Sequence, residues 1–249
     1  MRAFILAAGL GTRLRPFTLE HPKALVPVGG EPILAHVIKR LKSEGVTEIV
    51  VNVHHFADQI EEYLAANSNF GLTISISDER RQLLDTGGAI LQALRRTGWN
   101  DNEGVLIHNV DILSDAPLRK LVEAHADSGA AATLLVSRRE SSRRLAFDAD
   151  SHLRGWVDMT SGLTRPEGFM VDATHQLRAF SGIHVISPAQ ILAEMERQQR
   201  EGVFSVIDFY LHAAQHIDVR GWDNPELKLI DIGKPATLSQ ADSFINKLK

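Results

Sequence analysis

A run of small and apolar residues, Ala3-Phe4-Ile5-Leu6-Ala7, leads straight into Ala8-Gly9-Leu10-Gly11-Thr12-Arg13-Leu14-Arg15-Pro16. Pro22-Lys23-Ala24-Leu25-Val26-Pro27-Val28 follows a few residues later. No other feature constrains the chain as much as this junction. The unbroken apolar run suits a buried strand, the kind found in parallel sheets covered by helices. The glycines after it let the backbone turn sharply and come close to a ligand. Arg13, Arg15 and Lys23 set fixed positive charge beside the turn. Exposed backbone N–H groups with a guanidinium fork and an ammonium alongside suit polyphosphate. The spacing is not G-x-x-x-x-G-K-[ST], and Leu14 stands where G-x-G-x-x-G needs its third glycine.

The rest of the chain alternates between strand and helix patterns. Pro32 to Ser43 carries Ile33, Leu34, Val37, Ile38 and Leu41 at helical spacing, and Gly45 ends it. Strands are expected over 48–53, 72–77, 104–109 and 131–137, and helices over 57–64, 88–96 and 117–127. That order predicts an α/β fold with a mostly parallel, doubly wound sheet. From Arg143 to Val185 the pattern changes to strands and turns, expected at 144–148, 153–157 and 176–186, with a loop over 161–172. Helices around 190–200 and 205–216, short strands at 217–220 and 227–230, and a helix from Pro235 complete the reading. With no linker, repeat or low-complexity tract, one domain is expected over residues 1–249. Its nucleotide-binding part covers about 1–138, and about 139–249 holds the sugar-binding part and C-terminal helices.

The net charge of −4 offers no overall field for nucleic acid or an anionic membrane. There is no cysteine, so disulfides and Cys-ligated zinc are excluded. The apolar opening is too short for a secretory leader, and no apolar run nears the roughly 18 residues that span a bilayer. A cytoplasmic protein is expected.

Asp111 follows the strand at 104–109, at a carboxyl end where α/β sheets bind ligands. Asp85-Thr86-Gly87-Gly88 precedes a helix, which fits either backbone approach to a flat ligand or a plain helix start with Thr86 near the cap. Gly182 lies inside a strand, a sign of close approach by a ligand or another backbone. Trp156 suits stacking on a sugar face or an ordinary core position. His54, His55 and His108 show no metal spacing and read as structural.

The segments from Leu6 to Pro16 and from Pro22 to Val28 resemble the opening of the sugar-1-phosphate nucleotidyltransferases, also called nucleoside-diphosphate-sugar pyrophosphorylases. The resemblance extends over essentially the whole chain, strongly at the start and weakly after Arg138. It implies a Rossmann-like, three-layer nucleotidyltransferase (GT-A-like) fold and transfer of a nucleoside monophosphate from an NTP to a sugar 1-phosphate. By resemblance, Ala8, Gly9, Gly11, Thr12 and Arg13 hold the nucleotide, with Gly11, Thr12 and Arg13 on the β- and γ-phosphates. Arg13 and Lys23 are the catalytic pair, Lys23 beside the α-phosphate. Asp111 and Asp231, the latter in Asp231-Ile232-Gly233, share a divalent cation, Mg²⁺. The family often has Gly-Asp where this chain has Val110-Asp111, so a side chain stands near the expected ribose. Gly87 and Gly88 border the base, with Gln82 placed to read its edge. Gly182 and Trp156 fall to the sugar, and Asp208 and Lys234 are further polar candidates.

The compact length and the Asp-Thr-Gly-Gly segment are most similar to the small subgroup that joins UTP to N-acetylmuramic acid 1-phosphate. Mannose-1-phosphate and heptose-1-phosphate guanylyltransferases are the alternative. The absence of a hexapeptide-repeat tail speaks against an acetyltransferase fusion. An inactive nucleotide-sugar sensor, or a transferase for a non-sugar phosphate such as phosphocholine, are readings from outside this group. Nothing in the sequence indicates an oligomeric state.

Overall fold

The structure, a computed structural model, describes residues 1–233 and 235–248. The fold is α/β with a mostly parallel central sheet, as the alternation predicts. The chain packs as two compact units. One comprises residues 1–84, 107–116 and the described part of 228–249; the other comprises 85–106 and 117–227.

In the first unit three strands, Arg2–Leu6, Glu48–Val53 and Thr73–Asp78, run parallel. Phe4 lies opposite Val50, and Val51 opposite Ile76. Ala3, Phe4 and Ile5, and Ile49 to Val53, are buried. Thr73–Asp78 instead alternates between more and less exposed positions, because one face meets solvent. The helices Ile33–Ser43 and Ala57–Ala66 connect these strands. Ile33, Leu34, Val37, Ile38 and Leu41 form the buried stripe of the first, at roughly 1.5–3 kcal/mol for each side chain. Leu41→Ala would remove the last anchor of that stripe and cost about 2–5 kcal/mol.

The second unit is built mainly from antiparallel pairs. Gln176–Ile186 pairs with both Ala132–Ser137 and Arg143–Phe147, and Arg143–Phe147 pairs with Leu153–Asp158. Val219–Asp223 joins Ala132–Ser137 in parallel. The helices Asp85–Thr97, Leu118–Ser128, Pro188–Arg197 and Val206–Ala213 belong to this unit.

Two differences from the sequence reading matter. The helix expected at 88–96 begins at Asp85, because its first N–H groups find a distant acceptor: Gly87 and Gly88 both donate to the Phe204 carbonyl, at 2.9 and 3.3 Å. The strand Ile112–Ser114, which pairs antiparallel with Leu229–Asp231, has no counterpart in the sequence pattern. That pairing is too short to leave a periodic signal, yet it sets where Asp231 falls.

Candidate active site

The first strand ends at Leu6, and the next two peptide N–H groups, of Ala7 and Ala8, go to Asn52 Oδ1 at 2.6 and 3.2 Å. Gly9 follows with open space at its Cβ position. Gly11 has a left-handed backbone (φ 61°) and caps a short turn, Thr12–Leu14. Its carbonyl accepts from the Leu14 N–H at 2.8 Å and the Thr18 hydroxyl at 2.9 Å. A Cβ at Gly11 would lie 2.9 Å from both Lys23 Cβ and Thr18 Cγ2. The glycine is needed there for its backbone and for room beside Lys23. Leu14 is buried and anchors the turn, while Thr12 and Arg13 are exposed.

Lys23 opens a second short turn, Lys23–Leu25, between the buried Pro22 and Ala24. Its ammonium forms an ion pair with Asp111 Oδ2, the two side chains only 11% and 18% exposed. The strand Val105–Asn109 leads to Asp111, and the Val110 N–H is tied to the Leu6 carbonyl at 3.1 Å. The Val110 side chain is buried. Pairing of Leu229–Asp231 with Ile112–Ser114 sets Asp231 opposite Ile112, and the Ile232 N–H donates to the Asp111 carbonyl at 2.8 Å. Asp231 Oδ1 accepts the Gly233 N–H at 2.7 Å. A Cβ at Gly233 would meet Asp231 Oδ1 at 2.7 Å and Arg13 Nη2 at 2.8 Å. Arg13 and Asp231 therefore close on one glycine, and Lys23 and Asp111 on each other. The glycine turn, two cations and two carboxylates come together in the first unit. No group of three or more His, Cys, Asp or Glu side chains suited to a metal occurs among the described residues. A pair of carboxylates is nonetheless the protein share typical of Mg²⁺, which draws its other ligands from water and phosphate.

Gln82 is exposed in the loop after Thr73–Asp78, with its N–H on the Glu79 carbonyl at 2.9 Å. In the second unit, Gly87 has a structural account of its own. A Cβ there would come within 2.4 Å of the Phe204 ring and 2.8 Å of the Phe204 carbonyl oxygen. Thr86 Oγ1 accepts the Val206 N–H at 3.0 Å. Both backbone donors of the glycine pair are thus engaged by the 204–206 segment.

Trp156 is half-buried on Leu153–Asp158, and the Arg165 guanidinium lies 4.8 Å from its ring centroid. Arg165 Nη1 reaches Asp208 Oδ1 at 2.6 Å. With Arg143, Phe180 and Ile207, Trp156 and Arg165 line a cleft of about 320 Å³. Gly182 (φ 80°) sits where the register of Gln176–Ile186 against Ala132–Ser137 shifts between Phe180 and His184. A bulge accounts for the glycine there. Lys234 lies outside the described residues. His54 Nδ1 bonds the Glu79 carbonyl at 2.7 Å, and His55 lies against Phe56 with ring centroids 3.9 Å apart. His108 is buried, and desolvation pushes its pKa down to about 4. None of the three joins a metal cluster.

Sequence reasoning passed over Asn52, Glu79 and Phe204. The one available signal was an asparagine inside the apolar run Ile49-Val50-Val51-Asn52-Val53, all of it buried.

The parallel core and the basic and acidic groups gathered at its glycine turn have a counterpart at the level of the whole family. Residues 2–147 match the family model for nucleotidyl transferase, and the chain belongs to that family. It is 50% identical over 112 residues to N-acetylmuramate alpha-1-phosphate uridylyltransferase of Caulobacter vibrioides, covering 44% of this chain and 45% of that protein. It is 29% identical over 190 residues to a probable mannose-1-phosphate guanylyltransferase 2 of Oryza sativa subsp. japonica, covering 76% of this chain and 50% of that protein. The chain spans about half the length of these curated relatives. The fold is shared with HddC from Yersinia pseudotuberculosis complexed with GMP-PN: TM-score 0.73, 22% identity, 98% of this chain and 99% of that one. No helix among the described residues is long and apolar enough to cross a membrane.

Proposed function

We propose that this chain transfers a nucleoside monophosphate from an NTP to a sugar 1-phosphate, giving an NDP-sugar and pyrophosphate. The observation that carries the proposal is the convergence of Arg13, Lys23, Asp111 and Asp231 at the glycine turn. A phosphate oxygen of the sugar 1-phosphate attacks the α-phosphorus in line. The new O–P bond forms as the bond to the β-phosphate oxygen breaks, and pyrophosphate leaves with the electron pair. No covalent enzyme nucleophile is needed; alignment and charge neutralisation suffice.

In this reading, Gly11, Thr12 and Arg13 hold the β- and γ-phosphates, and Gly9 lies against the nucleotide. Lys23 stands by the α-phosphate and stabilises the charge that moves toward pyrophosphate. Asp111 and Asp231 would hold Mg²⁺, whose hard charge offsets the phosphate oxygens. Ala8 is assigned to the nucleotide, and Gln82, Gly87 and Gly88 to its base. The N–H groups of Ala8, Gly87 and Gly88 are engaged within the protein, so these residues would contact the nucleotide through their other atoms. Trp156 and Gly182 fall to the sugar, with Asp208 holding Arg165 over the Trp156 ring. Residues 1–138 serve mainly the nucleotide and 139–249 mainly the sugar, as parts of one cytoplasmic enzyme.

UTP and N-acetylmuramic acid 1-phosphate are the favoured pair, supported by the 50% identity to the Caulobacter enzyme. GTP with mannose or heptose 1-phosphate is the second reading, supported by the longer match to the rice protein. The test incubates the protein with Mg²⁺, each common NTP and a panel of sugar 1-phosphates, and measures pyrophosphate. Fastest release with UTP and N-acetylmuramic acid 1-phosphate is expected. Silence with every pair would leave a nucleotide-sugar sensor in its place.

A further inference from the structure

Asn52 is 3% exposed and Glu79 is 2% exposed, both in the first unit. Their hydrogen bonds converge on the Glu79 carboxylate. Asn52 Oδ1 accepts from the N–H groups of Ala7 and Ala8, at 2.6 and 3.2 Å. Asn52 Nδ2 then donates to Glu79 Oε1 at 2.7 Å, and Glu79 Oε2 accepts the Leu84 N–H at 3.0 Å. The Glu79 carbonyl accepts the Gln82 N–H. Two backbone donors fix which way the Asn52 amide faces. Burying a carboxylate costs heavily unless its acceptors are filled, and filling them makes the arrangement rigid. What this one connects is specific: the first peptides of the glycine loop and the 79–84 loop that carries Gln82.

We propose that Asn52 and Glu79 are positioning residues for the nucleotide, holding the Ala7–Ala8 peptides and the 79–84 loop in one register. That register sets the affinity for the NTP and the preference among bases. The inference rests on the reading that Ala8 and Gln82 border the nucleotide.

The fixed donor and acceptor roles make the idea testable by a swap. In Glu79→Gln, one amide oxygen must serve both Asn52 Nδ2 and the Leu84 N–H, so a donor is left facing a donor. In Asn52→Asp, two carboxylates face each other. In the double variant N52D/E79Q each of these bonds can be remade with the middle one reversed. The carboxylate introduced at position 52 accepts from Ala7, Ala8 and the amide introduced at position 79, and that amide's oxygen takes the Leu84 N–H.

Wild type and the three full-length variants are compared by thermal unfolding and by kcat and KM for UTP, GTP, CTP and ATP, with the sugar phosphate that wild type prefers. Each single variant is expected to raise the KM for the preferred NTP about tenfold and narrow the base preference, with the KM for the sugar phosphate within about twofold. The double variant is expected to return to within about threefold of wild type. Unchanged nucleotide KM and base preference in folded single variants would overturn the proposal, as would a folded double variant no better than Glu79→Gln. If one single variant does not fold, the other is compared with wild type and with the double variant on the same two criteria. A wild type that releases no pyrophosphate with any pair would overturn the proposed function instead, an outcome distinct from an active wild type whose variants match it.

Discussion

Gly9 and Gly11 lie two residues apart in one loop, yet the structure gives them opposite roles, and alanine at each separates fold from function. At Gly11 the backbone is left-handed, which costs an L-residue about 1–2 kcal/mol. The added methyl would also lie 2.9 Å from Lys23 Cβ and Thr18 Cγ2. Neither atom is the free end of a flexible chain: Lys23 is fixed between buried neighbours, and Thr18 is bonded to the Gly11 carbonyl. Overpacking of that kind costs about 1–3 kcal/mol. Gly11→Ala is therefore expected to lose about 2–5 kcal/mol, or roughly 5–15 °C in Tm for a chain of this size. Displacing Lys23 should lower turnover as well. At Gly9 no left-handed angle is present and the Cβ position is open. Gly9→Ala should leave Tm unchanged or raise it slightly, by about 0.4–1 kcal/mol of chain entropy. If the phosphates pass over Gly9, the methyl displaces them, and UTP affinity falls roughly tenfold. Thermal unfolding and UTP titration by calorimetry read the two quantities separately. A Gly9→Ala protein as destabilised as Gly11→Ala, or one that binds UTP like wild type, would refute the reasoning.

Lys23→Ala is expected to be the severest single loss, about 10²–10³-fold in kcat with the fold retained; near-normal pyrophosphate release would sink Lys23 as the α-phosphate group. Asp231→Asn can keep the bond to the Gly233 N–H, so it should preserve Tm while raising the Mg²⁺ concentration needed for half-maximal rate; an unchanged Mg²⁺ curve would remove Asp231 from the cation site. Gly87→Ala should cost about 1–3 kcal/mol by collision with Phe204, and less in a Phe204→Ala background, where only the carbonyl contact remains; equal costs in a double-mutant cycle would contradict that contact. His125 and His184 are buried, and desolvation pushes their pKa values down to about 4 and about 3. The unfolded chain takes protons at these sites below about pH 6.5 and the native state does not. Their contribution is therefore full above that pH and drains as pH falls toward 4, by up to about 1.4 kcal/mol per pH unit for each group. Equal urea midpoints at pH 7.5 and pH 5 would count against it.

The part of the site legible in sequence is the part whose chemistry is local. Ala7 to Arg13 form a strand end and a turn, and Lys23 is held by its own buried neighbours, so residue types in order nearly determine the geometry. Asp111 was legible because it follows an apolar strand. Asp231 was not, except through family resemblance, because its partnership with Asp111 depends on two three-residue strands far apart in the chain. A short strand is expected at 227–230, but its three-residue partner Ile112–Ser114 carries no period to detect. Asn52 and Glu79 were missed for a related reason. Each looks like a lone polar residue at the end of a strand, and only the parallel pairing of Glu48–Val53 with Thr73–Asp78 turns two such residues into a bond.

The glycines show why one sequence signal led to different outcomes. A glycine reports that something comes close to the backbone, but not what. At Gly11 the neighbour is Lys23 and Thr18, at Gly233 it is Arg13 and Asp231, and at Gly87 it is the ring of Phe204. Two of these approaches assemble candidate catalytic groups, and the third is packing. Gly9 differs because the protein leaves the space above it empty. Support for a ligand at the loop therefore does not grow with the number of glycines. It comes from the one whose missing side chain the fold does not use, in a loop where Arg13, Lys23, Asp111 and Asp231 are brought together.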